Sequence, residues 1–278
     1  MRNLAVATLA GALLGLTVCD RLVDPPLPPD AEQFTPPAVF STWWQMTEAC
    51  SERTGSLDAV TWYKTNDVLR HPRTGEVLVG YWSAPGNRIV LTTAVLRNGG
   101  SVRHEMLHAL VRQPGHPRRE FLEKCAGTVT CSTDCVSEAG AYPPPPETPI
   151  QMGADSIDIT LDIAPQNPTS AHDDGFFTIT VAVHNLSAHW ASFPPLSGQE
   201  ITDTFRFDVH GPLGSLTGEE FALDPSQTIF APGETKKQVF DFVIGDDVFT
   251  HQLLAGDYVA RGGYSDYWSH QRPFSIGP

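Results

Sequence analysis

The sequence predicts an α+β protein in which a small unit of helices and mixed sheet precedes an all-β sandwich. Two patterns and one boundary carry that expectation. Residues 38–140 mix apolar positions at helical spacing with short β-branched runs, residues 150–278 alternate in period two, and a proline run at 141–149 separates them. With 278 residues the chain is long enough for two ordinary cores, and 41% hydrophobic with 18% charged residues is the composition of packed protein.

Residues 1–19 carry Arg2 and then an apolar stretch over 4–16, the pattern of a signal peptide and too short for a membrane span. Leu16-Thr17-Val18-Cys19 resembles a bacterial lipobox, with branched Val18 where a small residue is usual. The resemblance implies that Cys19 is lipidated; simple cleavage or an uncleaved anchor is the alternative. The expected location is therefore outside the cytoplasm, either secreted or in the cell envelope, with membrane contact only through the leader or a lipid anchor. Residues 20–37 are proline-rich and read as a semi-rigid tether.

Within residues 38–140, Val39, Phe40, Trp43, Trp44, Met46 and Thr47 fall at spacings of three and four, which predicts an amphipathic helix. Residues 59–63, 77–82 and 88–92 are short and rich in β-branched and aromatic side chains, and they read as strands of one small sheet. Asn98-Gly99-Gly100-Ser101 breaks the chain, with Ser101 as N-cap, before a helix over 102–113 that Pro114-Gly115 stops. From residue 150, Ile157, Ile159 and Leu161, then Phe177, Ile179, Val181 and Val183, then Phe205, Phe207 and Val209, then Val239, Phe240 and Phe242 mark strands of a sandwich, immunoglobulin-like in general architecture. A strand-turn-strand is expected around Pro232-Gly233.

The formal charge is −14, of which residues 151–278 hold −12. So acidic a surface repels phosphate backbones, so nucleic acid is not an expected partner. The oligomeric state stays open. If Cys19 carries lipid or leaves with the leader, Cys50, Cys125, Cys131 and Cys135 remain as an even set suited to an oxidising compartment. The expected pairs are Cys131 with Cys135, which closes a small local loop, and Cys50 with Cys125. Sequence alone leaves all three connectivities possible.

His104-Glu105-Met106-Leu107-His108 falls inside the second helix. Positions i and i+4 share a helix face, so His104 and His108 can aim at one metal ion while Glu105, one step round, can take a proton from a water on that ion. The bland alternative is a helix with two surface histidines and no metal. No glycine-rich phosphate loop, dinucleotide fingerprint or Gly-Xaa-Ser-Xaa-Gly elbow occurs.

The strand Ile89-Val90-Leu91, a connector and the His-Glu-Xaa-Xaa-His helix resemble the active-site region of the zincin metallopeptidases. The resemblance implies one Zn2+ per chain, a peptide or protein substrate, Glu105 as general base, and Ile89, Val90 and Leu91 as the strand that borders the substrate cleft. The metzincin branch continues with a glycine and a third histidine, but Val111 and Pro114 stand at those positions, so the chain departs from that branch. A catalytic zinc needs a third protein ligand. His116 is the preferred candidate, because the turn at Pro114-Gly115 can swing it back; in the manner of the gluzincin branch, Glu120 or Glu123 is the alternative. The function expected is an exported zinc peptidase. The alternative is a catalytically inactive, zinc-stabilised binding protein of the cell envelope.

Overall fold

The computed structural model describes residues 26–278 apart from 73, 141, 172–174, 193–203, 213, 222–227 and 245–252. The apolar leader and Cys19 lie outside the described residues. Among the described residues no helix is long and apolar enough to cross a membrane. The architecture is mixed α+β, with few helices and many strands.

The N-terminal part holds β1 (Glu32–Gln33), α1 (Val39–Ser51), β2 (Thr61–Thr65), β3 (Leu69–Arg70), β4 (Val77–Leu78), β5 (Gly80–Ser83), β6 (Arg88–Thr92), α2 (Gly99–Val111) and α3 (Thr133–Glu138). α1 forms where the apolar spacing is helical, and it buries Val39, Phe40, Trp43, Trp44 and Thr47. The sheet runs β1-β2-β6-β5; β2 and β6 are parallel, and the outer pairs are antiparallel. α2 packs on β5 and β6 and against α1. The apolar run 77–82 is not one strand: β4 pairs with β3 in a separate ribbon, while β5 joins the main sheet.

Two further expectations are corrected. β6 is paired on both sides, so Ile89, Val90 and Leu91 are fully buried and have no free edge to offer an extended substrate. The strand at that edge is β5. Ser101 is not the N-cap of α2 either; the helix starts earlier, and Asn98 caps it by accepting from the Ser101 N–H at 2.9 Å.

The C-terminal part is a sandwich. Its strands are β7 (Ile150–Gln151), β8 (Ile157–Ala164), β9 (Phe176–Asn185), β10 (Ala191–Ser192), β11 (Thr204–Gly211), β12 (Gly214–Phe221), β13 (Ile229–Phe230), β14 (Thr235–Val243), β15 (Gly256–Tyr264), β16 (Tyr267–Trp268) and β17 (Arg272–Ile276). The sheet β14-β9-β8 faces the sheet β12-β11-β15, which β16 and β17 extend, and β13-β10-β7 forms a small third sheet. The segment around Pro232-Gly233 therefore changes sheets instead of forming a hairpin, since β13 pairs with β10 and β14 with β9.

Period two explains how the parts meet. Phe177, Ile179, Val181 and Phe242 point into the sandwich core with Phe207, Val209 and Phe274. Their neighbours Phe176 and Val243 point the other way and join the core of Phe40, Trp43, Trp62 and Met106. The Trp43 and Phe176 rings meet edge to face at 5.2 Å. Each face of the sheet β14-β9-β8 thus meets a different core.

Both disulfides match the expected pairs: Cys50 of α1 bonds Cys125, and Cys131 bonds Cys135. The first spans 75 residues of sequence, so it removes much freedom from the unfolded chain. Replacing Cys50 and Cys125 together by Ala is expected to lower unfolding stability by about 2–5 kcal/mol in denaturant titration; an unchanged midpoint would contradict this.

Candidate metal centre

α2 is a helix with almost no solvent face. Val102, Met106, Ala109 and Leu110 enter the large N-terminal core, and Leu107 enters a smaller one with Cys50, Phe121, Leu122, Cys125, Val129 and Cys135. His104 is half-buried and His108 buried, on one stripe between these two cores.

The helix ends at Arg112, whose left-handed φ of 59° turns the chain back, and its N–H donates to His108 O at 2.9 Å. This reversal delivers Gln113 O to His108 and carries His116 over the helix. The Nε2 atoms of His104 and His116 lie 3.1 Å apart, and those of His104 and His108 3.2 Å apart. His104, His108 and His116 are the group that could hold a metal ion among the described residues.

Each ring is oriented from behind. His104 Nδ1–H donates to Thr130 O at 2.8 Å, His108 Nδ1–H to Gln113 O at 2.8 Å, and His116 Nδ1–H to Glu138 Oε2 at 2.7 Å. Those partners only accept, so Nδ1 carries a proton in each ring and the Nε2 atoms are turned toward one another. Burial, with His116 close by, pushes His104 down to about 3, and burial with both neighbours pushes His108 well below the usual histidine range. At neutral pH no proton relieves the facing lone pairs of these two rings. A cation does: tetrahedral coordination at about 2.0–2.1 Å places ligand nitrogens about 3.3 Å apart, close to the separations seen. The donor set fits a metal ion.

Phe121 forms the floor. It is fully buried, and its ring lies 5.1, 4.7 and 5.0 Å from the rings of His104, His108 and His116. It sits on a π-helical turn, Arg119–Lys124, that ends at the disulfide-bonded Cys125. On that turn Glu120 faces Arg53 at 3.6 Å, and Glu123 is exposed; neither belongs to the histidine group.

Glu105 lies between its helix and the edge strand of the sheet. Its carboxyl lies against Gly80 of β5 and accepts from the main-chain N–H of Trp82, while Oε2 is buried with no partner. Burial pushes its pKa up to about 8.

Sequence reasoning missed Glu138, Thr130 and Phe121. Glu138 had one local signal, its position on a short helix that Ser132 caps through the Cys135 N–H. Thr130 acts through its carbonyl, which no side-chain pattern reveals.

No protein-family model matches the chain, and no curated protein matches it. Among solved structures, the alkylpurine DNA glycosylase AlkC of Pseudomonas fluorescens, bound to DNA containing an abasic site analog, superposes on 52% of this chain and 34% of its own, at 8% identity and a TM-score of 0.31. A GH3 beta-glucosidase of Bifidobacterium adolescentis covers 43% of this chain and 17% of its own at 15% identity and TM-score 0.28. One of Kluyveromyces marxianus covers 44% and 14% at 15% identity and TM-score 0.29. The chain spans about a third or less of the length of these proteins. Likeness at this level carries no argument about function.

Replacing His116, Glu120 and Glu123 singly by Ala and titrating each variant with zinc separates the candidate third ligands. Affinity is expected to fall more than about 100-fold for His116→Ala and to hold for the two glutamates, and Glu138→Gln is expected to cost about 10–100-fold. Unchanged affinity in His116→Ala would remove it from the centre.

Proposed function

We propose that the protein is a zinc-dependent peptidase acting outside the cytoplasm, with a zincin-like N-terminal unit and an immunoglobulin-like sandwich behind it. One observation carries the reading: three imidazoles hydrogen-bonded through Nδ1 converge through Nε2, and two of them flank Glu105 on a single helix. Three neutral nitrogen donors suit zinc and leave a fourth position for chemistry.

His104, His108 and His116 would hold the ion. Bound there, zinc supplies Lewis acidity that activates water and polarises a peptide carbonyl. The chain's own residues handle the proton and the geometry. Glu105 Oε2 has no partner; in its carboxylate form, which a nearby cation would favour against the burial that favours the neutral acid, it would take a proton from the attacking water and pass it to the leaving amine. The Trp82 N–H holds the carboxyl still meanwhile. Thr130 O, Gln113 O and Glu138 fix the imidazole planes, and Phe121 keeps water from the floor. β5, beside Glu105, replaces residues 89–91 as the strand against which an extended substrate would lie. Two disulfides suit an oxidising compartment, which supports export.

Purified mature protein is expected to contain close to one zinc per chain by elemental analysis and to cleave members of a peptide library in a chelator-sensitive way. Glu105→Ala is expected to lower cleavage by at least about 100-fold with metal content unchanged. Bound zinc without any cleavage would instead favour a zinc-stabilised binding protein.

A further inference from the structure

Arg103 directly precedes His104 and is 1% exposed. A guanidinium keeps its charge, so a buried one needs full pairing. Its Nη1 and Nη2 donate to Asp241 Oδ1 and Oδ2, each at 2.9 Å, and its Nε donates to Thr128 O at 2.6 Å. Asp241 belongs to β14 of the sandwich, 138 residues further along, between the core-facing Phe240 and Phe242 and therefore on the opposite face.

Residues 127–130 close a circuit between that strand and the metal centre. The Val239 N–H of β14 donates to Gly127 O at 2.7 Å, and Thr128 O receives Arg103. The Thr130 N–H donates to Gly100 O at 3.1 Å, and Thr130 O receives the His104 Nδ1–H. The approach is close enough to require glycine at two points. A Cβ on Gly99 would stand 2.5 Å from Asp241 Oδ2, and one on Gly127, whose φ is +68°, would stand 1.9 Å from Lys237 O.

We propose that Asp241 is a positioning residue of the metal centre: through Arg103 and residues 127–130, the sandwich fixes the His104 imidazole, and the centre is complete only with β14 in place. Asp241 touches neither the histidines nor any substrate; it acts through the main-chain segment that holds His104. The inference rests on the metal-binding reading above. It gives the C-terminal sandwich a defined task in the chemistry, beyond adding bulk or reach.

The test uses the full-length chain. Asp241→Asn keeps the side-chain shape but removes one acceptor and the charge, and Asp241→Glu keeps the charge. Zinc affinity by chelator competition and the visible spectrum of the cobalt-substituted protein are read well below the unfolding temperature of each variant. Expected are a loss of affinity of about tenfold or more and an altered cobalt spectrum for Asp241→Asn, with partial recovery in Asp241→Glu. A role confined to holding the two parts together would lower the unfolding temperature and leave both metal readouts as in the parent.

Asp241→Asn leaves Arg103 with an unmatched buried charge and can fail to fold. The paired variant Arg103→Met with Asp241→Leu removes both charges, and it is expected to fold yet bind zinc about tenfold more weakly. Parental affinity and spectrum in the folded variants overturn the proposal, and so does loss of the fold in both. A parent chain that binds no zinc overturns the metal reading itself, a result distinct from either.

Discussion

Three imidazoles turn their Nε2 atoms toward one another, His104 standing 3.1 Å from His116 and 3.2 Å from His108, and the neighbouring structure holds them there. Each ring is pinned by a hydrogen bond on its far side, from Thr130, Gln113 and Glu138, so none can rotate away without leaving an acceptor unpaired. Burial denies two of the rings the proton that would ease the contact. What remains is a cage whose repulsion a divalent cation would turn into coordination. The helix, the reversal after it and the stapled segment beyond it are best understood as the parts that build this cage.

Those parts are anchored in three directions. The Cys50–Cys125 bond ties the turn beneath the site to α1, and the Cys131–Cys135 bond closes the stretch between Thr130 and Glu138, which supply two of the three acceptors. On the remaining side β14 meets the start of α2 through a buried ion pair. Such a pair adds little net stability, because desolvating both charges costs about as much as their attraction returns. It does specify one arrangement of strand against helix, since any other leaves Arg103 buried and unmatched.

Much of this was legible in the chain. The His-Glu-Xaa-Xaa-His spacing put two imidazoles on one helix face, Pro114-Gly115 marked the reversal that brings His116 back, and the parity of the cysteines led to the two bonds seen. Period-two alternation marked the long strands β8, β9, β11 and β14. Strand neighbours were not legible. Apolar periodicity reports how many faces of a strand are buried but not which strands flank it, so residues 88–92 looked like a cleft edge although they lie inside the sheet. The run 77–82 changes partners at Val79, in the middle of an apolar stretch that gives no sign of it. Asn98 and Ser101 are both good caps, and the chain uses the earlier one. The pair of Arg103 and Asp241 spans 138 residues and has no local signature beyond Gly99, which the sequence presents as part of a simple break.

X-ray absorption at the zinc edge of the purified protein tests the cage most directly. Three imidazole nitrogens and one further light atom at about 2.0–2.1 Å are the expected first coordination sphere. An absent zinc edge, sulfur in the coordination sphere, or four imidazoles with no open position would contradict the proposed three-histidine centre.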